Sequence, residues 1–276
     1  MDDRDIPFAE PDGPYASPPA VFEDRREEWR VGPVPPAFTS MRHWQAYRFA
    51  FSSPNWLSNL LMGGLCQFIP VVGPIVWLGY TYEVIVALHQ RPQEPYPDFD
   101  FGEFSRYLVR GIWPFLAQLI VGFVLAPVIL FFMYGPLVIA LIATGGGKGA
   151  EEVVLIALGG GWLFGIALSF LFAALISTPI QLRAGMTEDL GQALSWSFIR
   201  DFAGRVGRES VVAMVFLTVS AVCVMLGGYL LCLVGALPAM ALVMLASQHL
   251  EYQLLHLYIH RGGAPLPVKV SRGYGH

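Results

Sequence analysis

Long apolar runs alternate with short charged stretches along the chain. Residues 49–82, 111–147, 153–182 and 210–250 contain no Asp, Glu, Lys or Arg. A helix needs about 20 apolar residues to cross the ~30 Å hydrocarbon layer of a bilayer, so each run is long enough to enter one. None resembles a soluble core helix. The predicted fold class is all-α: a polytopic helical membrane bundle with about six membrane segments, two of them hairpins at 56–88 and 210–259.

Residues 1–40 mix Pro, Asp, Glu and Arg with isolated aromatics and hold too little apolar surface to offset chain entropy, which predicts a disordered acidic, Pro-rich tail. The membrane domain is predicted over 41–260. It opens on a short interfacial helix near 41–51, where Met41, Trp44, Tyr47 and Phe51 alternate with Arg42 and Arg48. Ser53-Pro54-Asn55-Trp56 then reads as a helix start. One straight helix over 56–88 would reach ~50 Å, so a turn is expected at Pro70, Gly73 and Pro74, with a single kinked span as the alternative. The next run crosses once, bent or ended by Pro127 and Gly135-Pro136. The third crosses from Val153 to Ser177 and stops at Pro179. Residues 187–207 are expected to form a separate amphipathic helix capped by Thr187, with Leu190, Leu194, Phe198, Phe202 and Val206 on its apolar face. The last run is two spans long and turns at Gly235 and Pro238; residues 261–276 are expected to be a flexible tail.

Charge orients this bundle. With a hairpin at 56–88, sixteen of the seventeen Lys and Arg fall on one side, leaving Lys148 alone opposite. Basic flanks stay cytoplasmic, so both termini are expected inside the cell membrane (the cytoplasmic or inner membrane).

Composition narrows the chemistry. The chain has a mean hydropathy of +0.53 and only 14% charged residues, where soluble chains carry about 25%. No basic stripe with interleaved aromatics points to nucleic acid. Cys66, Cys223 and Cys232 all lie in apolar runs without metal-type spacing and read as small hydrophobes. There is no HExxH, GxSxG, Walker loop or CxxC, so neither enzyme nor cofactor is expected, and no metal site is predicted.

Residues Phe51 to Pro114 carry Pro54-Asn55-Trp56, the Gly63-Gly64 pair, Ile69-Pro70-Val71-Val72-Gly73 and Gly79-Tyr80. They also carry a Pro-aromatic loop, Tyr96-Pro97-Asp98-Phe99-Asp100, ahead of Arg110-Gly111. This stretch resembles the domain of unknown function 4013 family of prokaryotic multi-pass membrane proteins. Tyr96 and Phe99 depart from the Leu-Pro-x-Trp more usual there. The resemblance implies the architecture and brings with it no activity, ligand or catalytic residue.

Three groups of residues invite a functional reading. Ala157, Gly161, Gly165, Ser169, Ala173 and Ser177 recur every four residues and predict a helix-packing seam, either inside one protomer or between copies. Glu83 is the carboxylate embedded in the first run. Glu251 is similarly placed in the last, and both follow a proline (Pro70, Pro238) by thirteen residues, hinting at a repeated hairpin. Intramembrane ionisable groups are functional candidates, although Glu83 could also reach headgroup water or pair with Arg91. His249, Gln253, His256 and His260 share one helix face. His256 and His260 could chelate a metal, but without a carboxylate or thiolate at matching pitch a polar interfacial face is the expectation. The expected function is a non-catalytic scaffold or subunit of a membrane assembly, with membrane lipids, other membrane proteins or a second copy as partners. The alternative is a component of a small-solute or lipid transporter, and a lipid-modifying enzyme is the third reading.

Overall fold

In the computed structural model, residues 29–30, 38–91, 94–145, 147, 150–231 and 235–269 are described. The helices are α1 (His43–Ala50), α2 (Trp56–Cys66), α3 (Val72–Gln90), α4 (Phe104–Thr144), α5 (Ala150–Phe172), α6 (Thr178–Thr187), α7 (Leu190–Ala193), α8 (Trp196–Leu230) and α9 (Ala236–His260). A 3-10 turn (Phe101–Glu103) leads into α4, and a π-helical turn (Ala173–Ser177) joins α5 to α6. Two-residue strands, β1 (Trp29–Arg30) and β2 (Val268–Lys269), pair antiparallel.

Three antiparallel pairs organise the chain. α2 folds back on α3, with Gly63 against the Trp77 ring. α4 lies along α5, and α8 along α9, where Gly228 meets Gly235 and Ala239. The principal core gathers at one end around Trp77, Tyr80, Tyr82, Phe202, Leu255 and Tyr258, drawn from α3, α8 and α9. A smaller core around Ala117, Val121, Ile180 and Ile199 ties α4 to α6 and the start of α8. At the other end the flanks stay open. Phe123, Phe131 and Ile142 of α4, Leu155 and Leu163 of α5, and Leu230 of α8 are exposed. At about 25 cal/mol per Å2, such a continuous apolar surface is costly in water and costs nothing in lipid. Among the described residues, four helical segments are long and apolar enough to cross a membrane: Val72–Gln90, Phe101–Thr144, Ala150–Thr187 and Trp196–Leu230.

The first hairpin is two helices, as the length argument requires, and the turn takes an unusual form. Pro70, Val71 and Val72 form a γ-turn in which Val72 N donates to Pro70 O at 2.7 Å, with Val71 at φ 65° and ψ −57°. Gly73 and Pro74 lie in the first turn of α3, where a missing N–H costs nothing. Likewise Pro238 sits in the first turn of α9 and Gly235 immediately precedes it.

Several expectations are corrected. Of the two outcomes expected at Pro127 and Gly135-Pro136, a bend or an end, the helix does not end there: α4 is one 41-residue helix through Pro114, Pro127 and Pro136. Where no water competes for the backbone, a helix tolerates proline because neighbouring helices and local adjustment satisfy the freed groups. The third run does not stop at Pro179, which enters α6 in its first turn after the π-helical turn, and helix continues to Thr187. Residues 187–207 are not a separate helix. α7 is a single turn capped by Asp189, whose Oδ1 accepts from Gly191 N (2.8 Å) and Gln192 N (3.2 Å), while the Thr187 hydroxyl donates back to Arg183 O. Residues 196–207 instead open the 35-residue α8. Its apolar face is as predicted for Phe198, Phe202 and Val206, which are buried, with Phe198 and Phe202 against Tyr258; Leu194 is exposed. The C-terminal segment is packed as far as Lys269, with Leu266 and Val268 buried. The expectation of disorder over 1–40 falls almost wholly outside the described residues.

Candidate functional site

Charge converges where α3, α4, α6 and β2 meet. α3 and α4 approach closely enough that a Cβ on Gly79 would overlap the Tyr107 carbonyl, and one on Gly111 the Ile75 carbonyl. This contact sets Glu83, one turn beyond Gly79, opposite Arg106 and Arg110. Arg106 Nη2 lies 2.7 Å from Glu83 Oε2, and Arg110 Nε lies 2.8 Å from Glu83 Oε1. Arg110 also reaches Glu188 Oε1 (3.2 Å) and donates to the Lys269 carbonyl (2.7 Å), while Lys269 Nζ lies 3.3 Å from Glu188 Oε2. With Glu103 on Arg106 at 3.4 Å, three carboxylates face three cations. The side chains of Glu83 and Arg110 are both 1% exposed. Removing such charges from water is expensive, and only close multidentate pairing offsets it.

A different polar region runs along the buried face of α9. Glu251 is buried, and the Tyr82 hydroxyl donates to its Oε2 at 3.1 Å. No guanidinium or ammonium group bonds Glu251 among the described residues. Gln248, one turn earlier, is buried with its Oε1 unpartnered. His249 stacks on Phe49 and shares a 3.0 Å hydrogen bond with Gln253, which clamps the backbone of Arg42 by accepting from its N (2.7 Å) and donating to its O (3.2 Å). His256 faces His89 across 5.9 Å between ring centroids.

A third polar cluster fixes the loop before α4. Asp98 accepts from the Ser53 hydroxyl (2.9 Å), Asn55 Nδ2 (2.6 Å) and Asn59 Nδ2 (3.0 Å), and Asn59 Oδ1 accepts from Phe99 N (2.9 Å). Tyr80 and Tyr96 donate to the carbonyls of Pro97 and Ala50. Partial burial pushes the Asp98 carboxyl up, but the hydrogen bonds from Asn55, Asn59 and Ser53 outweigh it and hold the group below its ordinary value. Pro54-Asn55-Trp56 and the Tyr96–Asp100 loop, distant in sequence, are thus two halves of one contact.

The sequence-derived candidates land in separate places. Gly161 and Gly165 are buried against Met133 of α4, so this part of the seam is used inside the chain; Ser177 is buried too, while Ala157, Ser169 and Ala173 are half-buried. Glu83 meets Arg106 and Arg110 rather than Arg91, which pairs with Glu94 at 3.2 Å. His256 is buried and His260 exposed, so the two do not face a common site. Sequence reasoning missed Arg106, Arg110, Glu188 and Lys269 as partners, and Tyr82, Gln248 and His89 as part of the polar face. One usable signal was present: Arg106 and Arg110 are four residues apart on one helix and Glu83 lies on its neighbour, which suits an interhelical pair.

The molecule so described is a predominantly helical protein whose described residues include four segments long and apolar enough to cross a membrane, closed at one end by a polar, charge-paired core. No curated protein and no solved structure matches it. The chain belongs to the family described as "Protein of unknown function (DUF4013)", whose profile matches residues 62–233. That interval runs from α2 to just beyond α8 and contains Glu83, Arg106, Arg110, Asp98 and the glycine contacts between α3 and α4.

Proposed function

We propose that the protein is a multi-pass protein of the cytoplasmic membrane, with α2, α3, α4, α5, α8 and α9 as six membrane segments and both termini on the cytoplasmic side. Within that membrane it acts without catalysis, as a scaffold or subunit of an assembly. The carrying observation is the contrast between its two ends. One end is closed by salt bridges that neutralise one another. The other presents the open apolar flanks of α4, α5 and α8, which suit lipid or neighbouring helices. The three hairpins return the chain each time to the end bearing Arg106, Arg110, Arg183, Arg205 and Arg261, and basic ends are retained in the cytoplasm.

Two measurements test this reading. Reporter fusions at residues 148 and 200 are expected on opposite sides of the membrane; finding both in one compartment overturns the topology. Mild crosslinking in native membranes is expected to capture a neighbouring membrane protein or a second copy, and a lone monomer under those conditions ends the scaffold reading. One observation favours transport of a small solute instead: Glu251 is buried without a cationic partner. Flux in proteoliposomes that is abolished by Glu251→Gln would favour that reading, and flux unchanged by it removes the carboxylate from any transport mechanism.

A further inference from the structure

We propose that Glu251, Tyr82 and Gln248 form a monocation-binding site between α3 and α9, occupied by a proton or by an alkali-metal cation. The inference does not rest on the scaffold reading; it rests on how charge is handled at two buried carboxylates of one molecule. An ionised carboxylate taken out of water without a partner is among the costliest arrangements in a protein, so such a group is neutralised. Glu83 is neutralised by two guanidinium groups within 2.8 Å. Glu251 is 8% exposed and has one neutral donor, the Tyr82 hydroxyl, which is itself fully buried.

Among the described residues no cationic group bonds Glu251; on α6, which meets Tyr82 through Gly185, the Arg183 guanidinium lies over the Phe198 ring. On α3, Glu83 is turned to α4 and His89 faces His256. On α8, Asp201 accepts from Tyr258, Arg205 pairs with Asp201, and Glu209 pairs with Arg261 beyond the end of α9. From α1, Arg42 meets α9 through its backbone, and Tyr47 donates to Ser220; α2 carries no charged side chain. On α9 itself, His249 is held by Phe49 and Gln253, the Tyr252 hydroxyl donates to the Leu88 carbonyl, and His256 packs against Tyr252 and His89.

Among the described residues, the group that bonds the carboxylate is the Tyr82 hydroxyl, itself an oxygen. Gln248 lies one helical turn from Glu251 on α9, and its Oε1 is buried without a hydrogen-bond partner. An orphaned amide oxygen beside a phenol and an uncompensated carboxylate is an acceptor-rich cluster that lacks a positive charge. Hard oxygen donors of this kind suit a hard cation. One carboxylate balances one positive charge; a divalent ion would leave an excess charge buried.

The test uses the full chain in nanodiscs at constant ionic strength, in choline, sodium, potassium or lithium chloride, from about pH 6 to about pH 9. In choline at neutral pH, the infrared carbonyl stretch of a protonated carboxyl is expected in the wild-type protein and absent from Glu251→Gln. If that band persists in every salt, the occupant is a proton. If one alkali salt abolishes it and raises the unfolding temperature by a few degrees, with no such response in Glu251→Gln, the occupant is that cation. A wild-type spectrum lacking the band, together with salt-independent unfolding matching that of Glu251→Gln, overturns the proposal. Should Glu251→Gln fail to accumulate, Tyr82→Phe serves: removing the hydroxyl is expected to shift the band or weaken the cation response, and an unchanged response in both measurements removes Tyr82 from the site and overturns the proposal as stated.

Discussion

Glu83 and Glu251 follow a hairpin proline by the same thirteen residues and lie on adjacent helices, yet they are neutralised in opposite ways. Glu83 faces α4, where Arg106 and Arg110 reach across from a neighbouring helix; Arg106 also meets Glu103, and Arg110 is tied to Glu188 and to the carbonyls of Lys269 and Gly185. Glu251 faces α3, where residue 82 offers a phenol instead of a guanidinium. Burial alone therefore does not determine what a carboxylate is for. A carboxylate locked between two guanidinium groups that are held by further bonds is a structural fastener. One with a single neutral donor retains the capacity to gain and lose a charge. The surroundings differ because α4 brings two arginines to a close glycine contact, whereas α9 brings aromatic, histidine and glutamine side chains.

The most disruptive way to break this comparison is Arg110→Ala. It leaves the buried Glu83 with Arg106 alone and Glu188 with Lys269 alone, and the expected destabilisation is about 3 kcal/mol, read from unfolding in detergent or nanodiscs. Pairing it with Glu83→Gln is expected to recover part of that loss. Fully additive losses would show that the two groups do not act as a unit.

Next in size is Gly161→Leu in the apolar arm. Its side chain has no room beside the backbone oxygens of Phe132 and Met133, so α5 must move off α4 at a cost of about 1–3 kcal/mol. A thermal midpoint equal to that of the wild type would place the seam elsewhere.

Asp98→Ala, which frees the loop from Ser53, Asn55 and Asn59, is expected to cost about 1 kcal/mol, seen as faster amide exchange over residues 95–100. The pH dependence follows from the sign of the shift. Because the folded Asp98 sits below its ordinary value, its contribution is complete above the unfolded-state value near about 4 and is lost as pH falls through the folded one. Protection over 95–100, taken relative to the intrinsic exchange rate at each pH, should therefore fall on acidification in the wild type and be nearly independent of pH in Asp98→Asn.

The smallest expected effect is the sharpest counterpart to Arg110. The monocation-site proposal makes Glu251 a neutral acid in choline at neutral pH, so Glu251→Gln, an amide of the same shape, should change stability by less than about 1 kcal/mol. A loss as large as that of Arg110→Ala would mean that Glu251 is held as a charged, paired group, erasing the distinction between the two.

Much of the helical layout was legible along the chain. The turn at Pro70, the break at Gly235 and Pro238, the short α1 and the buried Phe198, Phe202 and Val206 face all follow from local period and turn chemistry. Prolines misled where the surroundings outweighed local preference: Pro127 and Pro136 do not end α4, and Pro179 begins a helix rather than ending one. The partners of Glu83 were harder to see. Arg91 is close in sequence, whereas Arg106 and Arg110 lie beyond a loop whose docking depends on Asp98 meeting Ser53, Asn55 and Asn59.

The sequence by itself determined the solvent preference of each segment, the helices that answer to it and the asymmetry of basic charge between their ends, because these depend on side chains summed over contiguous residues. Only the tertiary structure decided which carboxylate is matched and which is left alone, that Gly161 and Gly165 are consumed inside the chain, and that the C-terminal segment is tied into the core through Lys269. Those outcomes depend on distances between residues far apart in the chain. A close approach such as that of Gly79 to Tyr107 sets them, and no local pattern encodes it.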